Sequence, residues 1–314
     1  MREAEDIETA VTGIVADREH GARWLARACA ETMALACESP ASKDTIGVIH
    51  ALARRLASAR PSMAAVANTV ARIWSAGLAA SSTDNVDARL ERMDNEARRL
   101  RRYWDAVDEG VLRHAAPARH GAVYTHSRSG TVEAVLKAIT PSHGETRRVV
   151  VAESRPGGEG VGLAEALLSA GWEVTLIADA ASGLFVPNVD AVLVGADSIR
   201  PDGSVVNKVG TYPLALVAHT HGKPLYVLCE SLKVAPAALP LTLERLPSMP
   251  LTAPTAGAVQ LDTIAFDCTP AHLVTRIITE RGPLSLQEIA QTSDEASVAY
   301  DALVADDTTA AEEG

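Results

Sequence analysis

The 314-residue chain has little of what several large protein classes require. No stretch approaches the roughly 18 uninterrupted apolar residues of a membrane span, so no membrane partner is expected. The first ten residues, MREAEDIETA, are acidic and have no apolar core. They read as no signal peptide, and the expected location is the cytoplasm. Cysteine is scarce. Cys29, Cys37, Cys229 and Cys268 form no Cys-x-x-Cys pair and no zinc spacing, so no metal is expected and the thiols read as small buried groups in a reducing compartment. Basic charge is outweighed, with a formal net charge of -11 and a pI of about 5.3. That excludes a surface for direct nucleic-acid binding. Lysine is rarest among the charged residues, at positions 43, 137, 208, 223 and 233 only, which draws the eye to Lys208 and Lys233 near the ends of apolar runs.

What is present falls into two textures. Residues 1–116 are rich in alanine and in apolar residues at helical spacing, for example Trp24, Leu25, Ala28, Cys29 and Met33. Helices are predicted over 21–35, 45–59, 62–77 and 85–107, with Pro61 suited to a first helical turn. The run RLERMDNEARRLRRYW reads as a solvated face with interleaved acids. Beyond a boundary at 114–121, short apolar runs alternate with helical stretches. Strands are predicted over 122–125, 148–152, 173–177, 191–194 and 225–228, and helices over 132–138, 163–170 and 211–221. This alternation predicts a parallel, Rossmann-like sheet covered on both faces, an α/β domain over 117–314 after a helical domain over 1–116. Residues 235–257 hold five prolines, which exclude regular helix and central strand and mark a functional loop, a lid or an interface arm, or else a mobile one. The acidic tail, 294–314, reads as frayed at its end.

The strand ends carry the chemistry. They release His126-Ser127, Glu153-Ser154-Arg155, Asp179, Asp197 and Glu230-Ser231 in turn, at the edge where open α/β sheets place their ligands. Asp197 leaves the apolar run 191–194 through Gly195-Ala196, and Asn207, Lys208, Gly210 and Thr211 follow a turn and precede a predicted helix. A cation and backbone amides at a helix start suit an anion, so a small phosphorylated ligand beside an acidic group is expected. The run Gly157-Gly158-Glu159-Gly160-Val161-Gly162 misses the dinucleotide fingerprint by one residue and lacks the Lys-Ser/Thr of a P-loop. No nicotinamide or other cofactor is therefore expected. Ser127 has no Gly-x-Ser-x-Gly surroundings, and His219 and His221 read as surface residues.

Several motifs in order resemble the initiation factor 2B-related family: Thr-His-Ser at 125–127, Glu-Ser-Arg-Pro at 153–156, Gly-Ala-Asp-Ser-Ile at 195–199, Asn-Lys-Val-Gly-Thr-Tyr at 207–212 and Phe-Asp-Cys-Thr-Pro at 266–270. His-Gly-Ala-Arg at 20–23 and Arg-Pro-Ser-Met at 60–63 extend the resemblance into the first half. The family joins subunits of translation initiation factor 2B to methylthioribose-1-phosphate and ribose-1,5-bisphosphate isomerases. It implies a cleft between a helical and a Rossmann-like domain and a homodimer or higher homo-oligomer. It also implies ligand-binding positions at Gly21, Arg60, Ser129, Glu153, Arg155, Asn207, Lys208 and Lys233. In the isomerases a Cys after Thr-His and the Asp of Gly-Ala-Asp carry the reaction.

Here the aspartate is kept as Asp197, and the Cys position holds Ser127. A thiol titrates near neutrality, whereas a serine hydroxyl needs a partner base. His126 adjoins Ser127, but neighbours along a strand face opposite ways, so it is a poor partner. The favoured sequence reading is a noncatalytic initiation factor 2B-like subunit that binds a sugar phosphate or nucleotide in the cleft. The alternative is an aldose-1-phosphate isomerase using Asp197 with Ser127. Arg60 and Lys208 are expected to clamp one anion from opposite sides.

Overall fold

The computed structural model describes residues 2–38, 44–78, 85–116, 121–139, 147–245 and 262–305. Five helices come first: α1 (Arg2–Ala16), α2 (Ala22–Glu38), α3 (Thr45–Ala57), α4 (Ala64–Leu78) and α5 (Val86–His114). Leu25, Cys29, Met33 and Cys37 form the buried stripe of α2, three to four residues apart as a helix facing a core requires. Helix α4 is buried on almost every side and is the axis of the bundle. Asn85 caps α5 by accepting the N–H of Ala88 at 2.9 Å. The arginine run on α5 is a solvated face, with Arg98 paired to Asp94 and Glu38 and Arg99 to Glu96. Pro61 stands in a turn just ahead of α4, not in its first turn.

The second half is β1 (Val123–Thr125), α6 (Gly130–Ala138), β2 (Arg148–Ala152), α7 (Gly160–Ser169), β3 (Glu173–Ile177), α8 (Ser182–Phe185) and β4 (Ala191–Val194), then β5 (Ser198–Ile199), β6 (Val205–Lys208), α9 (Thr211–Thr220), β7 (Leu225–Leu228), β8 (Phe266–Thr269), β9 (Arg276–Thr279), β10 (Gly282–Leu284) and α10 (Leu286–Val304). The main sheet has the order β10-β9-β7-β4-β1-β2-β3, parallel except at β9–β10. The chain runs outward from β1 through β2 to β3 and then returns to the other side of β1 at β4. This reversal opens a crevice beyond the carboxyl ends of β1 and β4.

Two elements lie outside the expectations. Asn207 and Lys208 lie on β6, inside a three-stranded antiparallel sheet β5-β6-β8, and α9 starts after them at Gly210, whose φ is 104°. β6 pairs on one side with β5 across the tight turn at 200–204 and on the other with β8, some sixty residues on, and this second pairing is beyond the reach of a local pattern. Residues 294–304 are helical, because α10 packs its apolar stripe into the bundle. His50 Nε2–H donates to Leu303 O at 2.8 Å and Trp74 Nε1–H to Ala302 O at 3.0 Å, so the helical core takes in both ends of the described chain. The remainder of the tail, 306–314, lies outside the described residues, as do 246–261 of the proline-rich segment. Its described part, 235–245, has neither helix nor strand and joins the 264 region through one bridge, Arg245 to Ile264. Among the described residues no helix is long and apolar enough to cross a membrane, and no group of His, Cys, Asp and Glu could hold a metal ion.

Candidate active site

A cavity of about 630 Å³ lies where the helical layer meets the carboxyl edge of the sheet, within the range of small-ligand sites. Of the residues expected to bind ligand, Gly21, Arg60, Ser127, Ser129, Asp197, Asn207, Lys208 and Lys233 line it together. Glu153 and Arg155 do not. They pair with each other at 3.2 Å, and the Arg155 side chain is 68% exposed.

The turns after β1 and β2 build one wall. Ser127 and Ser154 both take left-handed backbone, with φ of 65° and 66°, a conformation that non-glycine residues hold only with support. Ser154 supplies part of it, its Oγ accepting the N–H of Ser127 at 2.7 Å and donating to Ala152 O at 3.0 Å. Asp179 accepts the backbone N–H of Ser154 at 2.8 Å and of Arg155 at 2.7 Å. His126 also lines the cavity and donates from Nε2 to Val209 O at 2.9 Å. Burial pushes its pKa below 6.5, outweighing Val209 and Asp179. It is no base for Ser127.

Glu159 is. Ser127 Oγ donates to Glu159 Oε1 at 2.9 Å, and Lys208 Nζ reaches the same oxygen at 2.8 Å. The sequence reading passed over Glu159 as part of a glycine run. The signal was the pairing of that carboxylate with glycines on both sides. A Cβ at Gly160 would overlap Ala152 O, so glycine there lets α7 start tight against β2.

Opposite lies a second charged set. Glu230 is fully buried at the end of β7. It pairs with Lys233 Nζ at 2.8 Å and accepts from Thr131 Oγ1 at 2.7 Å, with Arg23 Nε at 3.7 Å. Burial opposes its charge, but Lys233 and Arg23 prevail and hold its pKa below 4.5. Burial likewise opposes the Lys233 ammonium, and Glu230 and Asp197 overcome it, so the Lys233 pKa is raised. Asn68 of α4 donates to Leu232 O at 2.7 Å and Val234 O at 2.8 Å, fixing the turn that carries Lys233. Glu230 and Arg23 were not among the expected ligand residues. Only the placement of Glu230 at a strand end hinted at it.

Asp197 projects between these sets. Burial raises its pKa, and the charges of Lys233, Lys208 and Arg60 counter that only in part. Gly195, at the end of β4, lets the backbone pass the β1 loop, since a Cβ there would fall 2.5 Å from Ser129 Oγ. Arg60 is 4% exposed and bound by Glu244 through Nε at 3.1 Å and Nη2 at 3.0 Å, with Nη1 donating to Asp17 O at 3.0 Å. Both cations of the expected clamp thus carry carboxylate partners here, Glu244 on Arg60 and Glu159 on Lys208.

The chain as a whole has relatives. Residues 18–285 match the Initiation factor 2 subunit family. The methylthioribose-1-phosphate isomerase of Herpetosiphon aurantiacus is 32% identical over 302 residues, covering 88% of this chain and 84% of that protein. A putative translation initiation factor eIF-2B subunit 2-like protein of Pyrococcus horikoshii is 33% identical, covering 85% and 91%. The crystal structure of the translation initiation factor eIF-2B from Pyrococcus horikoshii OT3 superposes with a TM-score of 0.74 at 28% identity, covering 89% of this chain and 97% of that one.

Proposed function

The chain belongs to the Initiation factor 2 subunit family, and from that premise we propose that it binds an aldose 1-phosphate in this cavity and isomerises it to the 2-ketose phosphate. One observation carries the reading. Asp197 is a partly exposed carboxyl on the cavity wall whose pKa desolvation raises in spite of three cations around it, the direction in which a general acid is tuned. The similarity to a methylthioribose-1-phosphate isomerase supports the same chemistry. Lys208, Lys233 and Arg60, each held by a carboxylate, offer a phosphate their remaining donors, and α2 and α6 both begin at the cavity wall, at Gly21 to Trp24 and Ser129 to Thr131, where backbone N–H groups favour an anion.

A second reading, a binding subunit without turnover, is favoured by the hydroxyl of Ser127 where the related isomerases carry a thiol, and by the eIF-2B-like relative. Incubation of pure protein with ribose 1,5-bisphosphate and with methylthioribose 1-phosphate separates the two. Ketose formation at about 1 per second, an ordinary enzymatic rate, is expected. Binding of both without conversion selects the second reading.

A homodimer or higher homo-oligomer accompanies the proposal. Leu184 on α8 and Leu216 on α9 are 75% and 44% exposed on helices that touch each other, and such apolar surface suits a second copy. Light scattering on the pure protein measures the assembly directly.

A further inference from the structure

We propose that Glu159 is the base that moves the proton between carbons one and two, a role resting on the isomerase reading above. Four features of the fold set this carboxylate apart from a helix cap or a surface charge. Glu159 occupies the N-cap position of α7, yet its side chain makes no capping hydrogen bond. It turns instead into the cavity wall. There Ser127 Oγ and Lys208 Nζ hold it at 2.9 and 2.8 Å. The space it fills exists because residue 157 is glycine, since a Cβ at that position would collide with Glu159 Oε2.

The hydroxyl of Ser127 donates to this carboxylate, so a proton taken up on the Ser127 side of the cavity comes to rest on Glu159. Serine itself is too weak an acid to hold or release one near neutrality. Lys208 is bonded to Glu159, and its charge also acts on Asp197. Both carboxyl groups line the same cavity, so one bound sugar meets them both.

The steps balance. Protonated Asp197 gives its proton to the ring oxygen as the bond from that oxygen to carbon one breaks. The Glu159 carboxylate takes the proton from carbon two, and the released electron pair forms the double bond of an enol phosphate between carbons one and two. Glu159 then returns its proton to carbon one. The hydroxyl proton on carbon two passes to the Asp197 carboxylate as the ketone forms, and both groups end in their starting states. No oxidant, reductant or metal takes part.

The test uses the full chain with ribose 1,5-bisphosphate and methylthioribose 1-phosphate as probes in deuterated buffer, followed by NMR. Wild type is expected to form ketose with deuterium at carbon one, because a carboxylic acid exchanges its proton with solvent. Glu159→Gln, which keeps size and the contact with Ser127, should lower kcat by about 100-fold or more, the contribution of a general acid–base group, with KM little changed. Glu159→Asp should retain more activity than Glu159→Gln. Gly157→Ala, which crowds the carboxylate without removing it, should lower kcat as well. If Glu159→Gln turns over at the wild-type rate, Glu159 is not the base and the isomerase reading survives without it. If wild type converts neither probe, both fall together.

Discussion

Asp267 closes the amino terminus of α9, its Oδ2 accepting the N–H of Gly210 at 2.8 Å and that of Tyr212 at 3.0 Å. The amides that the sequence offered to a ligand phosphate are thus already taken by a residue of β8. Replacing Asp267 by Ala should cost about 1 to 2 kcal/mol of stability, as other lost caps do, while binding of phosphorylated ligands persists in the protein that remains folded. Burial pushes the Asp267 carboxyl up to about 6, against the pull of the backbone N–H groups. Between its ordinary value of 3.8 and about 6 the folded chain holds this proton more tightly than the unfolded one. Stability from this group therefore falls as pH rises through that window. Urea titrations across the window should show a flatter pH dependence for Asp267→Asn than for wild type.

His126 gives the opposite slope. Its folded pKa lies below 6.5 because it is buried, so the unfolded chain binds the proton first as pH drops. Its contribution to stability is complete above 6.5 and is lost as pH falls from there toward the folded value. His126→Gln should lessen the acid sensitivity seen by thermal melts below that pH. At neutral pH it should cost about 1 kcal/mol through the disturbed bond to Val209 O.

Asp197 and Ser127 were legible in the sequence because each follows an apolar run that ends at a turn, and Lys208 because it stands just ahead of a predicted helix; strand ends are fixed by short-range pattern. Glu159 and Glu244 were not. The first sat in a glycine run compared with nucleotide fingerprints, and the second among prolines that say where a chain cannot be regular but not what it touches. The strand carrying Asn207 and Lys208 was hidden for another reason. Its hairpin partner, Ser198–Ile199, is only two residues long, and its other partner, residues 266–269, lies far along the chain, so neither leaves a clear local mark. Helix α10 was masked by its acidic, Ala- and Thr-rich composition. Its contacts with α4 and α3 supply the apolar environment that makes it a helix.

The buried pair of Glu230 and Lys233 predicts an asymmetric response to mutation. Each side chain is almost inaccessible, at 0% and 7%. Lys233→Ala leaves the Glu230 carboxylate facing only Arg23 and Thr131, and breaking such a pair costs about 3 to 5 kcal/mol. Removing both charges with Glu230→Gln and Lys233→Met should cost less than Lys233→Ala alone, since no uncompensated charge remains. Denaturant midpoints of the single and double variants decide this. A double variant less stable than the single one would mean that the pair itself stabilises the fold.

Arg60 and Lys208 should part company when each is replaced by Ala. Lys208 lies on β6 with its side chain 17% exposed, and its partner Glu159 is 24% exposed, so solvent can take over from either group. Lys208→Ala should weaken binding of ribose 1,5-bisphosphate by about 1.5 to 3 kcal/mol, the scale of a hydrogen bond to a charged group, with the melting temperature of the empty protein nearly unchanged. Arg60 is different because Glu244, 11% exposed, depends on it for charge, with Ser62 Oγ as its other donor at 2.7 Å. Arg60→Ala therefore strands a half-sequestered carboxylate and should lower the melting temperature as well as the affinity. Adding Glu244→Gln to Arg60→Ala should restore much of the stability and none of the affinity lost with the cation. Calorimetry that finds both single variants binding as tightly as wild type would place the phosphate away from both residues. The stranded-charge argument for Arg60 would stand or fall separately, on the melting temperature of the double variant.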